Sequence, residues 1–308
     1  MTTLLFTHPA CLDHDPGDGH PERADRLRAV LAALDDQRFA ALDRRQAPRA
    51  TVAQIARAHD RAYVESLLER APVGGRVQLD ADTVMSPGSV EAALRAAGAL
   101  CAAVDAVVAG DEVRAFCAVR PPGHHAEPSR PMGFCLFNNV AIGAEQARAV
   151  HGLARVAIVD FDVHHGNGTQ AIFAREPMVH FFSSHQMPLY PGTGAASETG
   201  VGNILNMPLA MMTGGDEFRR VWGQVALPRL REFDPDLILI SAGFDGHRDD
   251  PLAQLQLIDD DYGWLTRELV AIARQCCAGR MVSTLEGGYD LAALGVCATA
   301  HVAALMDP

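Results

Sequence analysis

Residues 160–168 read DFDVHHGNG and bring two acids and two histidines together. They follow a short apolar run, residues 156–159, that predicts a buried strand. Asp160, Asp162 and His164 alternate, so on an extended backbone they point the same way. A carboxylate and an imidazole converging from one strand end are a pair of metal ligands. Asp245, in AGFDGHRDDP, is the candidate third. Two carboxylates and one imidazole suit zinc and leave a position open for water or substrate, which marks a catalytic site. The same oxygen-rich set would accept iron(II), cobalt or manganese.

Other stretches add proton chemistry. His124 and His125 follow Pro-Pro-Gly, a stiff lead-in that restricts where they point. Paired imidazoles near a metal suit general acid–base work, because they titrate near neutrality. Asp160 is the natural orienting partner for one of them, and could equally face a monovalent cation. Tyr289 follows Gly287 and Gly288, and a phenol there could donate a hydrogen bond to a developing oxyanion. Phe134 and Tyr190, in GFC and LYPGTG, could wall a narrow apolar channel. These residues together imply a metal-assisted hydrolase acting on a carbonyl, with the bond type open.

Positioning such groups needs a scaffold. Strands are predicted over 3–7, 113–119, 156–159, 178–183, 237–241 and 281–285. Helices are predicted over 21–34, 89–108, 138–150, 169–174, 216–233, 259–277 and 291–306, with two short ones in 51–68. Residues 72–87 read as surface loop. Alternating strands and helices imply an α/β fold: a mainly parallel sheet covered by helices on both faces. RPPGHH, DFDVHHGNG, AGFDGHRDDP and LEGGYD each come directly after a predicted strand. In open α/β sheets the site lies beyond the carboxyl ends of the strands, so the four should meet at one edge.

Composition sets outer limits. No linker, repeat or low-complexity tract divides the 308 residues, so residues 1–308 read as one catalytic domain. The net charge of -12 argues against a nucleic-acid partner. Seven cysteines without a CxxC pair argue against a disulfide framework or a thiolate zinc finger. The N-terminus lacks a basic n-region and a long apolar h-region. Glu91, Arg95 and Asp105 interrupt the most apolar stretch, so no membrane span is expected. Cytoplasmic placement is the expectation.

The segments GHPERADRLRAV, RPPGHHAE, MGFCLFNN, VDFDVHHGNGTQ, LYPGTG, SAGFDGHRDDPL and LEGGYD resemble, in order from His20 to Asp290, the zinc-dependent histone deacetylase family with its arginase–deacetylase fold. The resemblance implies that Asp162, His164 and Asp245 bind zinc. It implies that His124 and His125 are the histidine pair, with His125 transferring the proton, and that Tyr289 polarises the amide carbonyl. Asp160 would pair with His124 and, with Ser183, ligate a structural potassium. Phe134 and Tyr190 would line an acyl-lysine tunnel. Arg26 matches an arginine associated with a product-release channel.

Details sort the chain within that family. Asn167 stands where class I enzymes carry an aspartate, which points to class II-like bacterial proteins and to a less basic His125. His165 stands where arginases carry an aspartate for a second manganese, which argues against an arginase. Leu252 stands where polyamine-deacetylating relatives place a glutamate. The implied activity is removal of acetyl, or a short acyl group, from lysine in a protein or peptide. An acetylpolyamine or other small acylated amine is the alternative substrate. A non-catalytic acyl-lysine binding protein on the same fold would be expected to lack a ligand or the tyrosine, and none is missing.

Overall fold

Continuous apolar runs build the middle of a sheet. In the computed structural model, which describes residues 2–110 and 113–307, VAIVD, LILISA and MVSTL form strands in which every residue is buried. Strands covered on both faces need no alternation of polarity. The strands are β1 (Thr2–Thr7), β2 (Asp43–Gln46), β3 (Val77–Gln78), β4 (Val84–Met85), β5 (Val113–Cys117), β6 (Val156–Asp160), β7 (Val179–Gln186), β8 (Ile204–Leu209), β9 (Leu237–Ala242) and β10 (Met281–Leu285). Eight of them make one sheet in the order β2-β1-β5-β10-β9-β6-β7-β8. All its pairings are parallel, as expected for an α/β fold.

The order has a seam. The chain lays down β1, β2 and β5 on one side and β6, β7 and β8 on the other, then fills the middle with β9 and β10. The four segments after β5, β6, β9 and β10 therefore emerge from four adjacent strands.

The helices are α1 (Ala24–Ala33), α2 (Val52–Ile55), α3 (Arg61–Glu69), α4 (Ser89–Ala109), α5 (Asn139–His151), α6 (Asn167–Phe173), α7 (Gly215–Val221), α8 (Leu227–Phe233), α9 (Asp259–Cys276) and α10 (Leu291–Met306). One row runs α1, α10, α9, and another runs α4, α5, α6. By length and composition α4 could cross a membrane, but most of it is buried against α5, β5 and β1. It is a core helix. Two caps matter for the site. Asp290 accepts a hydrogen bond from Ala293 N and starts α10 just after Tyr289. Asn138 accepts from Ala141 N and starts α5.

The structure departs from the sequence reading at the sheet edges. β2 is the polar segment DRRQ, largely exposed, so it carries no apolar signal. It pairs with β1 at one edge, where charged side chains discourage further pairing. β8 contains Pro208, which lowers the expectation of a strand and is tolerated because β8 is the other edge. The predicted helix over 216–233 is broken by a π-helical turn at Trp222–Ala226. Pro228, near the start of α8, lacks the N–H that Gln224 O would accept in a regular helix. Residues 72–87, read as loop, hold the antiparallel β3–β4 pair. Its turn carries Asp82 and Thr83 to the site described next.

Candidate active site

Asp162 and His164 lie just past β6, and Asp245 lies just past the neighbouring β9. Each offers one ligand atom, and the three atoms lie within 4.8 Å of one another. His164 Nδ1 is 3.2 Å from Asp162 Oδ1 and 3.1 Å from Asp245 Oδ2. The backbone fixes the acids, since Asp162 Oδ2 accepts from Gly287 N and Asp245 Oδ1 from Val163 N. A Cβ on Gly243 would overlap the Asp162 carboxylate, and one on Gly287 would overlap that of Asp245. Only glycine allows this approach.

The electrostatics of this trio call for a cation. The two carboxylates are 1% and 0% exposed. Burial, and then the charge of Asp162, push the pKa of Asp245 up. Burial disfavours the charged form of His164, but Asp162 and Asp245 outweigh it and push its pKa up to about 10. The pocket thus draws in a positive charge. A divalent ion bonded to the three atoms would supply that charge in place of the proton, and zinc accepts this donor set.

Two hydrogen-bonded pairs stand beside the trio. His124 Nδ1 lies 2.9 Å from Asp160 Oδ2, and His125 Nδ1 lies 2.8 Å from Asn167 Oδ1. The two rings are 4.0 Å apart. Burial disfavours a charged His124, but Asp160 and Asp162 push its pKa up to about 10. Burial, then the charges of His124 and His164, hold His125 well below the ordinary imidazole range. The neighbouring carboxylates favour the charged form of His124, while His125 is held toward the neutral form, which can accept a proton. Asp160 faces Ser183 across the β6–β7 pairing, and Ser183 Oγ bonds His185 Nδ1 at 2.9 Å.

A cavity of about 210 Å³ opens onto these groups. His125, His164, Tyr289, Phe134, Tyr190 and Leu252 line it. Phe134 sits edge-on to Tyr289, with centroids 6.0 Å apart, and Tyr190 edge-on to His125 at 5.1 Å. Burial lifts the Tyr289 phenol well above its usual range, with Arg26 opposing, so it stays an O–H donor. Arg26 is fully buried and lies outside the cavity wall. Its guanidinium covers the Tyr289 ring at 4.7 Å and donates to Glu286 O and Gly288 O.

Several acids that the sequence did not single out, most of them buried, hold these loops. Glu286 Oε2 accepts from Gly123 N at 2.6 Å and His124 N at 3.2 Å, while Oε1 accepts from Ser241 Oγ. It ties the segments after β10 and β5 to the end of β9. Burial pushes its pKa up to about 7. Asp250 Oδ2 accepts from Tyr289 N at 2.6 Å. Glu22 bonds both Arg26 and Arg120, all three fully buried. Asp82 Oδ1 accepts from Gly133 N and lines the cavity. Glu286 and Asp250 lie inside LEGGYD and HRDDPL, so their motifs were visible, but nothing in their spacing distinguishes a loop anchor from a ligand.

Comparison with known proteins agrees with this geometry. The histone deacetylase domain model matches residues 20–305. Histone deacetylase 14, chloroplastic, of Arabidopsis thaliana is 40% identical over 94% of this chain and 74% of its own length. The histone deacetylase-like amidohydrolase of Pseudomonas aeruginosa is 39% identical over 92% of this chain and 76% of its own. The crystal structure of the HDA15 HD domain superposes with a TM-score of 0.94 at 35% identity, covering 99% of this chain and 88% of that one. With the parallel sheet and the clustered strand ends, these matches place the chain in the histone deacetylase family of deacetylases and amidohydrolases.

Proposed function

We propose that this protein is a zinc-dependent amidohydrolase that removes acetyl, or a short acyl group, from the lysine side chain of a protein or peptide, releasing acetate. The observation that carries the reading is the cavity itself. Phe134 and Tyr190 supply aromatic walls, and His125, His164 and Tyr289 lie together on its lining. An extended acylated chain fits that shape, and the reacting carbonyl would meet a proton acceptor and an O–H donor.

Zinc held by Asp162, His164 and Asp245 would supply Lewis acidity toward the carbonyl and the attacking water. Neutral His125 takes a proton from that water as its oxygen attacks the acyl carbon. Tyr289 donates a hydrogen bond to the oxyanion that develops. His125 then returns the proton to the nitrogen as the C–N bond breaks, giving acetate and free amine. His124, kept cationic by Asp160, places a fixed positive charge beside the reacting atoms. Asp160 and Ser183, on paired positions of adjacent strands, would be side-chain ligands of a structural potassium ion. Arg26, under Tyr289, would lie along the path by which acetate leaves.

A small acylated amine is the second reading, and Asp82 favours it. This carboxylate lines the cavity and offers a counter-charge for a substrate ammonium. Leu252 at the same lining offers none. All seven cysteines are free, which suits a reducing compartment, and we assign the cytoplasm. The test is a panel of acyl-lysine peptides and acetylated diamines, run on protein of measured metal content. Higher kcat/KM on the peptides supports the first reading and the reverse supports the second. Zinc-loaded protein that turns over neither would sink both.

A further inference from the structure

An asparagine next to a base has two faces. Its oxygen accepts and its NH₂ donates, and a half-turn of the amide exchanges them. Here Asn167 Oδ1 faces His125 Nδ1 at 2.8 Å. Nδ1 then carries the hydrogen, and Nε2, the nitrogen turned away from Asn167, keeps its lone pair. With the amide reversed, NH₂ would donate to Nδ1 and the hydrogen would sit on Nε2. That imidazole could not take a proton from water. A carboxylate at this position would not raise the problem, because both of its oxygens accept. An amide needs something that tells its two ends apart.

Glu127 does so. Asn167 Nδ2 donates to Glu127 Oε1 at 2.9 Å. A reversed amide would set Oδ1 against that carboxylate. The other neighbours of Nδ2 are poorer acceptors, namely His125 O at 3.5 Å and Met132 Sδ at 3.3 Å. Glu127 is itself held by its backbone. Its N donates to Arg130 O at 2.9 Å, and its O lies 3.0 Å from His59 Nδ1. His59 Nε2 accepts from Asn138 N, which leaves Nδ1 as the donor to Glu127 O. The side chain is thus aimed at Asn167 from a fixed base.

We propose that Glu127 is a positioning residue: through the Asn167 amide it sets which nitrogen of His125 carries the hydrogen. The proposal rests on the reading of His125 as the proton acceptor, and gives Asn167 and Glu127 one joint role. It makes a signed prediction. With asparagine at 167, Glu127 helps. With aspartate at 167 no orientation has to be chosen, and Glu127 faces a like charge.

The experiment uses zinc-loaded wild type, E127A, E127Q, N167D and the E127A/N167D double variant. Two readouts are taken, kcat and KM on an acetyl-lysine peptide and an acetylated diamine, and ¹⁵N NMR of the histidine ring nitrogens. We expect E127A to lower kcat by about 10-fold, the lower end for a group acting through another residue, with KM little changed. E127Q keeps an acceptor and recovers most of that loss. In the N167D background, E127A raises kcat instead. The ring spectra should show His125 with hydrogen on Nδ1 in wild type and a population with hydrogen on Nε2 in E127A. An E127A loss of equal size in both backgrounds would mark a structural role and overturn the proposal, as would a His125 spectrum unchanged by E127A. If wild type turns over no acyl amide, the functional reading falls, while the ring spectra still decide what Glu127 does.

Discussion

His124 and His125 are adjacent in the chain and touch through rings 4.0 Å apart, yet their Nδ1 partners differ. The inner pair, His124–Asp160, joins an imidazole to a carboxylate on β6 that is wholly shielded from solvent. The outer pair, His125–Asn167, joins one to a neutral amide at the start of α6. One partner stabilises a cation and the other only orients a ring. Burial works against charge on both imidazoles, and only at His124 is it overcome, by Asp160 first and Asp162 beside it. A site that needs one fixed positive charge and one vacant base can thus be made from two copies of the same residue. The partners divide the labour.

That comparison can be broken at either pair. The largest effect should follow loss of the vacant base: His125→Ala should lower kcat by about 10²–10⁴-fold in steady-state assays on the best acylated substrate. A smaller loss than that of His124→Ala would reverse the assignment. Tyr289→Phe removes the donor on the other side of the carbonyl and should cost about 10²–10³-fold in kcat. Asp160→Asn removes the charge that keeps His124 cationic. As a partner one step away from the chemistry, it should cost about 10–100-fold.

The smallest effect is the sharpest, and it lies in pH. His125 must be neutral to accept a proton, so kcat/KM is present above its pKa and lost as pH falls through it. Burial, and then the charge of His124, hold that pKa low. Asn167→Asp adds an attractive charge, raises the pKa and moves the acidic limb to higher pH. Asp160→Asn also moves it to higher pH, for the opposite reason, by relieving repulsion from His124. Limbs that stay in place in both variants would show that another group controls them.

Much of this was legible in the sequence because the candidate ligands and the histidine pair lie in short motifs behind apolar runs. The convergence of four strand ends could be read directly, but not the extended alternation of Asp160, Asp162 and His164, because β6 ends at Asp160 and the backbone bends over 162–164. What stayed hidden has a common cause. β2 is an edge where backbone pairing makes a strand of polar side chains, and in β8, the other edge, Asn206 and Pro208 interrupt the apolar run. Glu286, Asp250, Glu22 and Glu127 act by hydrogen bonds to loops far away in the chain, and no spacing rule records such a partner. Glu127 stood in plain view in RPPGHHAE, but only its distance to the Asn167 amide gives it a task.

The seam in the sheet also bears on how the chain is made. β5 and β6 carry apolar inner edges that stay unpaired until β9 and β10 slide between them. In N-to-C synthesis these two strands are the last of the sheet to emerge. Until then the native pairings open to the chain are β2-β1-β5 and β6-β7-β8, and each such half-sheet would leave an open backbone edge able to pair with another chain. The candidate site residues stay apart as well, because His125 belongs to one half and His164 to the other. A ribosome-bound chain halted before residue 237 therefore carries most of the polypeptide while His125 and His164 still lie on unjoined halves, and a chaperone would meet it at the edges of β5 and β6.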